Sequence, residues 1–268
     1  MKIKTLVVAI FIAFIVDSAN AYLEDIPSMR KVGNAERGYK TFMDAGCIGC
    51  HSVKSTGLSA TMKPTEAAEL LGANPPDLSN VGSIFDSHFL AAFIKNPAHA
   101  LKVEHKFTGK KKYPYPMVPF RSINGDLDQE VADIVAYLKY IAKKPENITP
   151  KMAFETACGR CHSLRTFNWT QIGKKPKFNK RSRELSFELK VAEYQEYLAE
   201  YLSKLPPDLS EIAQKRQKEY LKQLIKDPQS KIPGTAMPRV GVTEEMINKI
   251  IQYLFEASFS KNFNLHVK

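Results

Sequence analysis

The sequence predicts an all-α fold made of two copies of one helical unit in tandem. Three observations carry this. Pro75-Pro76-Asp77-Leu78-Ser79 returns 131 positions later as Pro206-Pro207-Asp208-Leu209-Ser210, and Phe89 to Pro97 returns at the same offset as Tyr220 to Pro228. Self-similarity in a fixed order marks a duplication, here a tandem pair rather than a solenoid. Each half also closes with an amphipathic helical stripe: Val131, Ile134, Val135 and Leu138, then Ile247, Ile250, Ile251 and Leu254. Finally, the string Cys-x-x-Cys-His occurs twice, at Cys47-Ile48-Gly49-Cys50-His51 and Cys158-Gly159-Arg160-Cys161-His162. Together these strings use all four cysteines, so none is left for a disulfide.

In chain order, Lys2 and Lys4 precede the apolar run Leu6 to Val16, which Asp17 closes, and Ala19-Asn20-Ala21 offers the small residues of a signal-peptidase site. The run is short for a membrane span. Residues 1–21 therefore read as a cleavable export signal or an uncleaved N-terminal anchor. The first unit is expected at 22–145 and the second at 146–268, a length that suits two domains of roughly 110 residues. Asn34 can cap a helix that runs from Ala35 towards Cys47, with Gly38 and Phe42 on one face. Lys143 to Pro150, with two prolines and several charges, is the expected linker. Each half carries its own insertion: Lys102 to Lys112 in the first, and the stretch between His162 and Pro206 in the second, helical near Glu184 to Leu202. The lysines and arginines of both insertions are either solvated surface or docking surface for an acidic redox partner. Thr243, followed by Glu245 and Met246, is the expected start of the last helix.

Cys-x-x-Cys-His is the attachment signature of c-type haem. Two thioether bonds need two thiols at a short fixed spacing, and the adjoining imidazole then reaches the iron. Paired Cys-x-x-Cys also binds zinc, but zinc does not explain a His after each second Cys. The expectation is two covalently bound haem c groups, on Cys47 and Cys50 and on Cys158 and Cys161, with His51 and His162 as proximal iron ligands. Met117 lies 66 residues after His51 and Met237 lies 75 after His162, each on a proline-containing loop before a closing helix. Such a loop can hold a thioether at the iron, so both methionines are expected as distal ligands. Met43, Met62, Met152 and Met246 read as packing residues. His88, His99 and His105 have no matched partner in the second half and read as surface residues. Tyr113, Tyr115 and Phe120, with Pro206, Pro207 and Pro238, would shield the irons from water. Arg239, directly after Met237-Pro238, either meets a haem propionate or lies in solvent.

The first and last helices of class I cytochromes c cross through a small residue and aromatics. Gly38, Phe42, Ile134 and Tyr137 resemble that contact. Phe154 and Tyr253 match it in the second half, but Pro150 stands where the glycine would be. With Asn74 to Ser79, Asp133 to Leu138, Pro206 to Ser210 and Gly234-Thr235-Ala236-Met237-Pro238-Arg239-Val240-Gly241, the chain resembles the dihaem cytochrome c1-type subunit of the epsilonproteobacterial quinol–cytochrome c reductase, a cytochrome bc complex. The resemblance implies an electron carrier that is no enzyme on its own. It implies cytochrome b and an iron–sulfur subunit as partners, a small periplasmic cytochrome c as acceptor, and a place on the periplasmic side of the inner membrane. Membrane association would come through the anchor or the partner subunits. The chain has no C-terminal membrane helix of the kind cytochrome c1 carries. Two other classes stay open: a free periplasmic shuttle of the cytochrome c4 type, and a dihaem peroxidase, which needs an open sixth position. The net charge of +11 points to acidic partners or an anionic membrane surface, and export argues against nucleic acid.

Overall fold

A computed structural model describes residues 23–107 and 115–260. The expected export signal and the basic residues Lys110, Lys111 and Lys112 lie outside them, as does Tyr113. The described chain is helical, as expected, with one small two-stranded ribbon, β1 (Trp169–Thr170) and β2 (Gly173–Lys174). Its helices are α1 (Ala35–Asp44), α2 (Pro64–Leu71), α3 (Val81–Ile84), α4 (Ser87–Lys95), α5 (Pro97–Ala100), α6 (Leu127–Ile141), α7 (Pro150–Ala157), α8 (Arg181–Leu202), α9 (Ile212–Lys215), α10 (Lys218–Lys226), α11 (Pro228–Lys231) and α12 (Glu244–Ser258). Among the described residues no helix is long and apolar enough to cross a membrane.

Two packed helix pairs organise the molecule. In the first half α1 crosses α6. Asn34 caps α1, its side chain accepting from the Arg37 backbone N–H at 2.9 Å. The crossing is close because Gly38 has no side chain: a Cβ there would sit 1.9 Å from the Asp133 carbonyl oxygen. Phe42 and Tyr137 pack beside it with centroids 5.5 Å apart and planes at 51°. The Asp133 side chain, 3% exposed, ties the crossing together. It accepts from the Asn34 backbone N–H at 2.6 Å and from two guanidinium nitrogens of Arg37 at 2.8 Å. In the second half α7 crosses α12, and Phe154 and Tyr253 repeat the aromatic pair at 5.5 Å and 50°. Where the first crossing has its glycine, this one has Pro150, tolerated because it occupies the first turn of α7, where a missing N–H costs nothing. Thr243 does begin α12, but its side chain makes no cap; its backbone N–H instead donates to Ile84 in the first half at 3.0 Å.

The two halves share a seam. Phe85 and Val242 form an antiparallel bridge, and the Asp86 N–H donates to the Gly241 carbonyl at 2.8 Å. Ile84 is buried within the second half's core. Gly241 has φ +62°, and a Cβ there would lie 2.0 Å from the Phe89 ring. The segment expected as linker packs on the second half: Ile148 is buried in the second core, and Lys249 donates to the Pro145 carbonyl at 2.7 Å.

Arg239 is fully buried at this seam, which overturns the solvent-exposed alternative. Its guanidinium donates to both carboxylate oxygens of Asp25, at 2.5 and 3.1 Å, and to the Ala100 carbonyl at 2.9 and 3.1 Å. The guanidinium holds the Asp25 carboxyl below the usual carboxylate range. Arg239 therefore clamps the N-terminal segment and the end of α5 onto the second half. Several basic residues expected as surface are also engaged. Lys102 pairs with Asp227 across the seam at 3.2 Å. Lys175 meets Glu184 and Glu188 at 2.7 and 3.0 Å, and Arg181 meets Glu184 at 2.8 Å.

Gly38→Ala should push α1 off α6, because the clash is with backbone rather than with a movable side chain. Loss of about 3 kcal/mol of stability is expected, read as a lower urea midpoint.

Candidate haem sites

Each Cys-x-x-Cys-His string folds as one tight turn at the end of a helix. After α1 the chain passes through Gly46 at φ +71° into a 3-10 turn, Cys47–Gly49, and the His51 N–H donates to the Cys47 carbonyl at 3.0 Å. After α7 the His162 N–H donates to the Cys158 carbonyl, also at 3.0 Å. Each turn therefore gathers its two thiols and its imidazole locally. All four cysteines are free and partly buried. Burial pushes the Cys158 thiol up to about 12. Among the described residues no three His, Cys, Asp or Glu side chains are arranged to hold a metal ion, so the two Cys pairs do not converge on one zinc site.

The recurring Pro-Pro-Asp-Leu-Ser strings orient the histidines, a role their recurrence alone did not disclose. His51 Nδ1 lies 3.0 Å from the Pro76 carbonyl, and His162 Nδ1 lies 2.8 Å from the Pro207 carbonyl. A carbonyl can only accept, so Nδ1 carries the proton in both rings and Nε2 keeps a free lone pair. Burial lowers the proton affinity of both imidazoles, which keeps them neutral. Neutral imidazole with a fixed tautomer is the donor an iron needs, so the residues present fit covalent haem c.

The same strings brace the loop behind each histidine. Asp77 accepts from the Ser52 hydroxyl at 2.7 Å, the Lys54 N–H at 3.0 Å and the Ser79 N–H at 3.1 Å. Asp208 accepts from the Ser163 hydroxyl at 2.7 Å, the Arg165 N–H at 3.1 Å and the Ser210 N–H at 3.0 Å. Ser79 and Ser210 each accept one further N–H at 3.0 and 3.1 Å, from Ser55 and Thr166. Leu78 donates to Ser52 at 2.8 Å and Leu209 donates to Ser163 at 3.0 Å. Val53 and Leu164, both fully buried, anchor the two loops through matching bridges to Leu58 and Trp169.

Met117 and Met237 lie half-buried on the loops ahead of α6 and α12. Phe120, near Met117, packs on the core that Cys47 also borders, and Val240, near Met237, packs on the core that Cys158 borders. The first loop is held by Phe120 donating to Ile94 at 3.0 Å, and by buried Glu130, which accepts from the N–H groups of Ile123 and Asn124 at 2.9 and 2.6 Å. The second is held by the Met237 N–H donating to the Thr235 hydroxyl at 3.2 Å and by Arg239 behind it. Tyr115 packs edge-on against Phe107 at 5.2 Å. Among the surface histidines, His99 pairs with Glu104 at 3.0 Å, and His88 Nδ1 accepts from the Met29 N–H at 2.9 Å.

Burial alone would raise the carboxyls of Asp77 and Asp208, but the hydrogen bonds to them outweigh it, and both lie below the usual carboxylate value. A depressed folded-state pKa stabilises the fold above the unfolded value of about 3.9 and is lost as pH falls through the folded value. Stability is therefore expected to hold at neutral pH and to fall below about pH 4. Asp77→Ala should cost about 2 kcal/mol, since it strands the Ser52 hydroxyl and two backbone N–H groups. Urea denaturation of the variant at pH 7 and pH 3 checks both: the gap between variant and parent should narrow in acid.

Residues 35–142 match the family model described as cytochrome c. No curated protein and no solved structure matches the chain. The matched span opens at α1 and closes just past α6, so it contains the first Cys-x-x-Cys-His string, the loop bearing Met117 and the crossing at Gly38. The chain thus carries a cytochrome c domain, which implies covalently bound haem c and the work of an electron carrier.

Proposed function

We propose that the chain is a dihaem c-type cytochrome, a tandem pair of class I cytochrome c-like domains. In this reading it is the cytochrome c1-like subunit that carries electrons from the iron–sulfur protein of a quinol–cytochrome c reductase to a small periplasmic cytochrome c. The observation that carries the two-haem reading is the duplicated hydrogen-bond set around His51 and His162. A second imidazole held in the same tautomer by the same string is what a second haem requires. The reductase assignment rests on the longer string resemblance, and the basic charge suits an acidic redox partner.

Haem c supplies reversible one-electron chemistry at its iron. The chain's residues bind and shield it. The cysteine pairs would attach it, His51 and His162 would hold its iron, and Met117 and Met237 would hold the iron as well and keep substrate from it. A thioether held at the iron would favour the reduced state and raise the potential. The proline-braced loops and the cores beside Cys47 and Cys158 keep water away.

Met237→Ala should lower the potential of the second haem in a redox titration; an unchanged potential would remove Met237 from the ligand set. Gentle detergent extraction through a C-terminal tag should recover a cytochrome b and an iron–sulfur protein. Recovery of a lone soluble dihaem protein beginning at Tyr22 would favour a cytochrome c4-type shuttle instead. Peroxide turnover with a five-coordinate haem would favour a peroxidase.

A further inference from the structure

The second-half insertion reaches back onto the first haem site. Tyr194, Leu198 and Tyr201 form one stripe along α8 (i, i+4, i+7). Tyr194 and Leu198 are buried with Ala68 of α2, and the Tyr201 ring lies against Gly72 and 5.2 Å from Phe107. Cys161 borders the same cluster, so the second Cys-x-x-Cys-His string faces the first half here.

At this point three residues close a ring of hydrogen bonds. The Arg160 guanidinium donates to the Asn74 carbonyl at 2.7 Å. The Asn74 N–H donates to the Tyr194 hydroxyl at 3.3 Å, and that hydroxyl donates to the Arg160 carbonyl at 3.3 Å. Asn74 stands two residues before Pro76, whose carbonyl holds His51. Among the described residues no carboxylate pairs with Arg160. The guanidinium is thus held against the segment that leads directly into the carbonyl bonded to His51.

We infer that Arg160, although it lies inside the second haem string, is a positioning residue for the first. Through Asn74 it braces the loop that orients His51, and its fixed positive charge raises the potential of the haem there. A cation near the iron disfavours the oxidised state, which carries the extra positive charge. Arg160 is half-buried at the Asn74 and Tyr194 contacts, which lessens the water that would screen its charge. The inference rests on the two-haem reading.

The test is a redox titration of the purified holoprotein, with each haem followed separately through its methyl resonances and the haem content counted as the pyridine haemochrome. Arg160→Gln should shift the first haem's potential downward, and Arg160→Lys, which keeps the charge, should restore most of it. If Arg160→Gln does not accumulate, Tyr194→Phe carries the test. It opens two of the three bonds, and a smaller downward shift at the same haem is expected. With two haems present, an unmoved first-haem potential, or a shift confined to the second haem, would overturn the proposal alone. One haem per chain would overturn the two-haem reading and the proposal with it.

Discussion

The fixed imidazole is the constraint on which the rest of each candidate haem site depends. A histidine ring on an irregular loop has two rotatable bonds and two tautomers, and only one combination presents Nε2 to an iron. Here a proline carbonyl selects the tautomer, and the neighbouring aspartate gathers a serine hydroxyl and backbone N–H groups into one rigid turn. Proline suits the position because it has no N–H of its own to satisfy. The carboxylate is worth burying because charge-assisted bonds to it offset its desolvation.

A second layer of constraint joins the halves. The bridge at Phe85 and Val242 supplies backbone bonds, and Arg239 supplies a buried charge that must be matched. An unpaired guanidinium in that position would be severely destabilising, so Asp25 and the Ala100 carbonyl are required partners.

Much of the chain's basic character also acquires a structural meaning. Lys102, Lys175 and Arg181 are held in ion pairs, and Arg160 is directed inward at the junction of the two sites. Surface pairs of this kind contribute little to stability.

The close crossing at Gly38 was expected from the resemblance to class I cytochromes c, while the sequence by itself determined the helical class, the repeated strings, the two Cys-x-x-Cys-His strings and the Asn34 cap. These are local or periodic signals: a cap acts over three residues, an amphipathic stripe repeats every turn, and thioether spacing is a matter of adjacent residues. The Pro-Pro-Asp-Leu-Ser strings were visible as a repeat, yet their role was not, because each acts on a histidine 25 or 45 residues earlier. Only the tertiary structure decided that Arg239 is buried, that the expected linker is part of a seam, and that α8 packs its tyrosine stripe on the first half. An arginine's spelling is the same in water and in a core. What decides between them is whether a carboxylate and a carbonyl from distant segments arrive to meet its charge, and that is settled by packing.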